Sequence, residues 1–221
     1  MKFSTPAFLA ASSVAALLAT APVARAQAAV YGTVTAQHLG GLSYTTQGTG
    51  TVNQPTTRTD GTFDPIGGTG GIYYDFRQYG PIRLGVDARF SIAHSTHGAD
   101  PNATGSGGRL YTAMGGLRAS FPAHYRILAP YAGVDFGLAR TDYGNGTSGS
   151  SSTGTGFPSG QVKIDHGFAY QGVAGLDIHA LSVLDVRLFE LGIGGVSGVT
   201  GQSGSHLLES LSIGVVLHFP R

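Results

Sequence analysis

Between Pro81 and His94 the chain reads PIRLGVDARFSIAH, with Arg83, Asp87 and Arg89 at alternate positions among Ile82, Leu84, Val86, Ala88, Phe90 and Ile92. A period of two is that of a β-strand, whose successive side chains point to opposite faces. One face of this strand is charged and the other is oily. A chain that repeats this pattern must find one solvent for its charges and another for its oil.

The pattern does repeat. Ile72, Tyr74 and Phe76 alternate with Tyr73 and Asp75; Leu117 and Ala119 with Gly116 and Arg118; Val134, Phe136 and Leu138 with Gly133, Asp135 and Gly137. Further on, Ala174, Leu176 and Ile178 alternate with Gly175, Asp177 and His179, and Leu211, Ile213, Val215 and Leu217 with Ser210, Ser212, Gly214 and His218. Alternation predicts eight strands near residues 29–40, 66–77, 81–93, 108–121, 127–141, 166–179, 183–194 and 206–219. In the seventh, Leu184, Val186 and Leu188 lie opposite Asp185 and Arg187, but the apolar set then becomes Phe189, Leu191 and Ile193, opposite Glu190. That slip of one residue predicts a β-bulge near Leu188 and Phe189.

The connections alternate as strictly as the faces. Residues 41–65, 94–107, 142–165 and 195–205 are long and rich in Gly, Ser and Thr, whereas RQYG, PAHYR and HALS are short. The third long connection is of low complexity and reads as a mobile loop. Several such loops are unusual in a compact soluble domain but routine at the extracellular end of a transmembrane barrel.

A half-buried sheet of a soluble sandwich or lipocalin-like barrel would show the same alternation. Its polar faces would look at water and favour Lys, Glu and Thr; here they carry Gly, Asp and Arg and no Lys. Glycine weakens an exposed strand but makes room where inward side chains crowd a narrow lumen. The oily faces therefore point to lipid and the charges inward. Composition agrees, since 11% of residues are charged, against about 25% in ordinary soluble domains.

Residues 1–28 have the form of a cleavable secretory signal peptide: Lys2, an apolar run, and a small-residue site in Ala24-Arg25-Ala26 or Ala26-Gln27-Ala28. The barrel domain is then 29–221. Removing the leader takes away Lys2 and Arg25, leaving 11 basic against 12 acidic residues, too little positive charge for nucleic acid. With no cysteine, neither disulfides nor thiolate metal sites are available.

Leader, eight strands, alternating loop lengths and a terminal aromatic together resemble the OmpA/OmpX-like eight-stranded outer-membrane barrels. GGIYYDFRQYGPIRLGVDARF is similar to the second hairpin of bacterial outer-membrane β-barrel domains. The resemblance implies an all-β, antiparallel, up-and-down transmembrane barrel in the bacterial outer membrane. It further implies a monomer in contact with lipid and lipopolysaccharide, delivered by periplasmic chaperones and the β-barrel assembly machinery. No cofactor is implied.

An eight-stranded lumen is just wide enough for side chains to fill it. The acids Asp75, Asp87, Asp135, Asp177, Asp185 and Glu190 are predicted to meet Arg83, Arg89, Arg118 and Arg187 there, with His179 nearby, as a structural charge network that plugs the lumen. Arg83, Arg118, Asp75, Asp177 and Asp185 all lie near the short turns and are expected in one layer. A structural or surface-facing role follows; a narrow pore, an adhesin acting through its loops and, remotely, a lipid-modifying enzyme are the alternatives.

Candidates for chemistry are few. His206, Glu209 and Ser210 in GSHLLESLS supply the residue types of a hydrolase triad. On a strand, however, His206 and Ser210 share a face about 13 Å apart. His94 and His97 have no third ligand in register, and DGTFD at 60–64 lacks the ligand pattern of a calcium loop. No catalytic residue and no metal ligand is assigned.

Overall fold

The computed structural model describes residues 27–46, 57–96, 108–121, 127–143, 167–198 and 204–219. They form nine strands: β1 (Gln27–Thr46), β2 (Thr57–Phe63), β3 (Ile66–Tyr79), β4 (Ile82–Ser95), β5 (Gly108–Ser120), β6 (Leu128–Tyr143), β7 (Gly167–Leu181), β8 (Leu184–Ser197) and β9 (Ser205–His218). From β3 to β9 neighbours in the chain pair antiparallel, and β9 returns to pair with β1 from Ala29↔His218 to Leu39↔Leu208. β2 and β3 both pair with β1, one beyond the other, interrupted only at Asp64 and Pro65. They form one stave, and the whole is a closed barrel of eight.

The staves stand where alternation places them, with one correction. The connection expected over 41–65 is ladder at both ends, because Leu42–Thr46 pairs with Thr57–Gly61; residues 47–56 lie outside the described residues. Gly40 and Gly41 oppose the single Thr62, and Gly41 takes a φ of 71°, a bulge that lets pairing continue past the glycines. LSYTT and TRTDGTF carry Thr and Tyr, which suit a strand, but no apolar alternation, so the hydrophobic period ends before the strand does. Two short turns are also tighter than expected. Arg77–Tyr79 belongs to β3, leaving Gly80 (φ 56°) and Pro81 as the turn, and His179–Leu181 belongs to β7, leaving Ser182 and Val183. The signal sequence up to residue 26, the PAHYR connection and the low-complexity loop from 144 lie outside the described residues. β1 begins at Gln27, two residues before the expected start of the domain.

The two faces separate as the alternation predicts. Outward lie Val34, Ile72, Phe90, Leu117, Val134, Phe136, Phe168, Leu191 and Ile213, with Leu138 and Ile193 61% and 64% exposed. Inward lie the charges, and the largest fully buried side chain is Arg187. A protein folded in water buries its oil and shows its ions; this barrel does the reverse all the way round. The bulge in β8 is present. Arg187 pairs with Gly214 and Glu190 with Ser212, so Leu188 and Phe189 together oppose one residue. Both stay exposed, and Arg187 and Glu190 both face inward.

Candidate functional site

The lumen is the candidate site, and its order can be followed along single strands. β8 climbs from its turn through Asp185, Arg187, Glu190 and Gly192 to Val196; β9 descends through His206, Leu208, Ser210, Ser212 and Val216 to His218. Register turns these sequences into stacked layers.

The central layer is ionic. Arg89 on β4 places Nη2 2.7 Å from Asp87 Oδ2, Nη1 2.8 Å from Glu190 Oε1 and Nε 3.1 Å from Asp135 Oδ2. β4 and β8 stand four staves apart in a ring of eight, so the Arg89–Glu190 pair crosses the full width of the lumen. Arg187 donates from Nε to Asp177 Oδ1 at 2.9 Å and from Nη1 to Glu190 Oε2 at 3.0 Å. Arg118 donates to Asp177 Oδ2 at 3.2 Å. Asp87, Asp177 and Glu190 are each held between cations or hydroxyls, the condition under which burying ions is tolerable; Asp135 has the Arg89 cation alone, and its Oδ2 makes no hydrogen bond among the described residues.

Three tyrosines complete the layer, a role that charge alone could not reveal. Tyr31 donates to Asp87 Oδ1 at 3.0 Å and Tyr131 to Glu190 Oε2 at 2.6 Å. The Arg118 guanidinium lies over the rings of Tyr73 (3.7 Å) and Tyr131 (4.2 Å), and that of Arg187 over Tyr31 (4.5 Å) and Tyr131 (4.6 Å). Arg118 Nε and Nη1 have no hydrogen-bond acceptor among the described residues; ring faces cover them instead. Tyr31 lies across from Gly71, and Tyr131 across from Gly175. A Cβ on either glycine would come within 2.5 Å of the tyrosine ring, so both glycines are the floor on which the rings lie. The sequence signal was phase: Tyr73 and Tyr131 keep step with Asp75 and Asp135.

In the layer expected from Arg83, Arg118, Asp75, Asp177 and Asp185, Asp75 lies within electrostatic reach of both Arg118 and Arg83. Arg118 and Asp177 meet. Arg83 is half-buried at the turn end of β4, and Asp75 is buried with Oδ1 lacking a hydrogen-bond partner among the described residues. Asp185 instead takes two histidines. His179 Nδ1 lies 2.6 Å from Oδ1 and His218 Nε2 2.6 Å from Oδ2.

Above the ions runs a hydroxyl and amide belt. Thr35 contacts Thr69 at 2.8 Å and Ser212 at 2.9 Å, and Gln171 donates to Ser210 at 2.6 Å. Nearer the long loops the lumen turns apolar: Leu39, Phe63, Leu110, Met114, Ala139, Ala169, Val196 and Leu208 form one buried cluster. The faces of the strands predict a polar, mostly plugged lumen, and this apolar cluster is an addition to it. Inward leucines flanked by outward ones erase the alternation that marks a strand. The described lumen thus carries an ionic layer and, nearer the long loops, an apolar one.

The triad candidates are separated by the same geometry. His206 is buried in the lumen beside the Gly41 carbonyl, and Ser210 accepts from Gln171, but Glu209 is on the outer face. A base and its orienting acid on opposite sides of a barrel wall cannot act together. His94 is exposed, and His97 lies outside the described residues.

No family model matches the chain, and no curated protein matches its sequence. Among solved structures it is similar to Ail, the attachment invasion locus protein of Yersinia pestis, in complex with the heparin analogue sucrose octasulfate. The TM-score is 0.48 at 11% identity, over 87% of this chain and 99% of that one. It is also similar to Neisserial surface protein A, at 0.47 and 15% over 86% and 99%. The outer membrane protein OprG from Pseudomonas aeruginosa gives 0.47 and 11% over 88% and 97%. These likenesses are distant, and the chemistry of the lumen is read from this chain's own residues.

Proposed function

We propose that the chain is an integral outer-membrane β-barrel with a structural or surface-facing role, a closed lumen and no catalytic activity. The observation that carries this reading is the inversion of the barrel: apolar side chains ring the outside while cross-lumen ion pairs fill the inside. Only a solvent of hydrocarbon accepts that exterior, and only a closed sheet satisfies its backbone there.

The Arg89–Glu190 pair across the lumen and the buried cluster of Leu39, Phe63, Leu110 and Leu208 support that closure. The purified barrel in a planar lipid bilayer is therefore expected to show no steady conductance. A large, stable conductance would overturn the closed lumen and make the protein a narrow pore.

The mature chain is proposed to begin at Gln27, after Ala24-Arg25-Ala26. Gln27 pairs with Asp75 and Ala28 with Tyr74, and the Ala28 carbonyl accepts from Phe219 N–H at 3.0 Å. Cleavage after Ala28 would discard partners that the barrel uses. Intact-mass measurement of the protein from outer membranes is expected to give a Gln27 terminus; an Ala29 terminus would refute this.

A further inference from the structure

The network leaves one group of side chains without a role in closing the lumen. His179, Asp185 and His218 stand at the last inward positions of β7, β8 and β9 before the short-turn end of the barrel. Their ligand atoms all lie within 4.8 Å of one another. Register explains the convergence. His179 is the direct cross-strand partner of Asp185, and His218 follows two residues after Val216, which faces Asp185 from β9. The rings are 6.2 Å apart at 57° and each addresses a different oxygen of the one carboxylate. Tyr73 packs edge-on against His218 from inside. The Asp185 side chain is 3% exposed and that of His218 10%, but that of His179 is 40% exposed, so the cluster is anchored in the wall and open to water on one side.

We propose that His179, Asp185 and His218 form a binding site for a divalent cation of the zinc class at the periplasmic mouth of the barrel. Two imidazole nitrogens and one carboxylate oxygen are the donors such an ion takes, with water completing a tetrahedron. Ligand atoms bonded at about 2.0–2.1 Å to one ion stand about 3.3 Å apart, a spacing the three side chains reach by small movements from their present contacts. On binding, the proton on each facing nitrogen moves to the other ring nitrogen or leaves, and the ion takes its place between ring and carboxylate. Mg²⁺ holds its water and prefers oxygen, so the site discriminates against it. An ion here clamps the closing strand β9 to the β7–β8 hairpin.

The test uses the tag-free mature barrel, folded in detergent and stripped of metal with a chelator, titrated calorimetrically with Zn²⁺ and with Mg²⁺. One Zn²⁺ per barrel and no Mg²⁺ is the expected result, with Co²⁺ giving the intense visible absorption of a tetrahedral site. Changing a residue that only supports a ligand costs roughly 10- to 100-fold in affinity, so losing a ligand through Asp185→Asn or His218→Gln is expected to cost more than that. His179→Gln serves as the variant least able to disturb folding, since its side chain stands at the mouth. His38→Gln, on β1 nine residues beyond the Ala29 that faces His218, is expected to bind like wild type. Failure of the folded wild-type barrel to bind Zn²⁺ would overturn the site and leave a hydrogen-bonded clasp. Equal binding by wild type and His179→Gln would overturn it too, as an adventitious ion only.

Discussion

Arg89→Ala is expected to destabilise the folded barrel by about 3–5 kcal/mol, the cost of leaving buried charge without its partner. One guanidinium serves Asp87, Asp135 and Glu190 from strands on several sides of the lumen. Without it, Glu190 keeps Arg187 and Tyr131, and Asp87 keeps the Tyr31 hydroxyl, but Asp135 loses the cation 3.1 Å away. Asp135 is among the largest fully buried side chains, so water cannot readily substitute. Urea unfolding in lipid vesicles is the measurement, with a lower midpoint and an unchanged slope as the outcome. Arg89→Lys should fall between, because an ammonium keeps the charge but cannot reach three carboxylates in one plane. No leak should accompany either variant, since the apolar cap is untouched. Stability within about 0.5 kcal/mol of wild type would place Arg89 among ordinary surface positions and contradict the network.

The second large effect concerns the other face. Val134, 48% exposed near the middle of β6, has Phe136 and Leu138 beside it along the outer wall. Val134→Arg should cost about 2–4 kcal/mol if the residue lies near the bilayer midplane, and Val134→Leu almost nothing. In a water-soluble barrel the same arginine would sit in water at little cost, so the substitution separates the two environments. Normal folding of Val134→Arg in vesicles would require inside and outside to be exchanged.

These effects could be foreseen from sequence to different degrees. Phase carried most of the fold: the slip between Leu188 and Phe189 predicts the β8 bulge that keeps Glu190 facing inward. Phase also brought Arg89, Asp135 and Glu190 to one side of three separate strands, and a narrow barrel forces such residues together. What phase cannot say is height. Asp185 and Arg187 are neighbours on one face, yet one joins the histidines at the mouth and the other the central layer. Height follows from register and bulges, including the one between Asp75 and Arg77, where an extra residue opposes the partner strand. Tyrosine suits either face of a strand, so phase sets Tyr131 on the side of Asp135 without showing that its hydroxyl, or that of Tyr31, caps a carboxylate. His218 was silent for a different reason. It lies 33 residues beyond Asp185, and the register of the β8–β9 ladder, which sets Val216 opposite Asp185, brings the two to 2.6 Å.

The inside-polar, lipid-facing barrel is tested most directly by the mobility of the membrane-extracted protein on a detergent gel, with and without boiling. A closed sheet whose exterior is satisfied by detergent resists unfolding until heated, so two bands of different mobility are the expected result, recovered from the outer-membrane fraction. A single band unchanged by boiling, from protein found in the soluble periplasmic fraction, would contradict it.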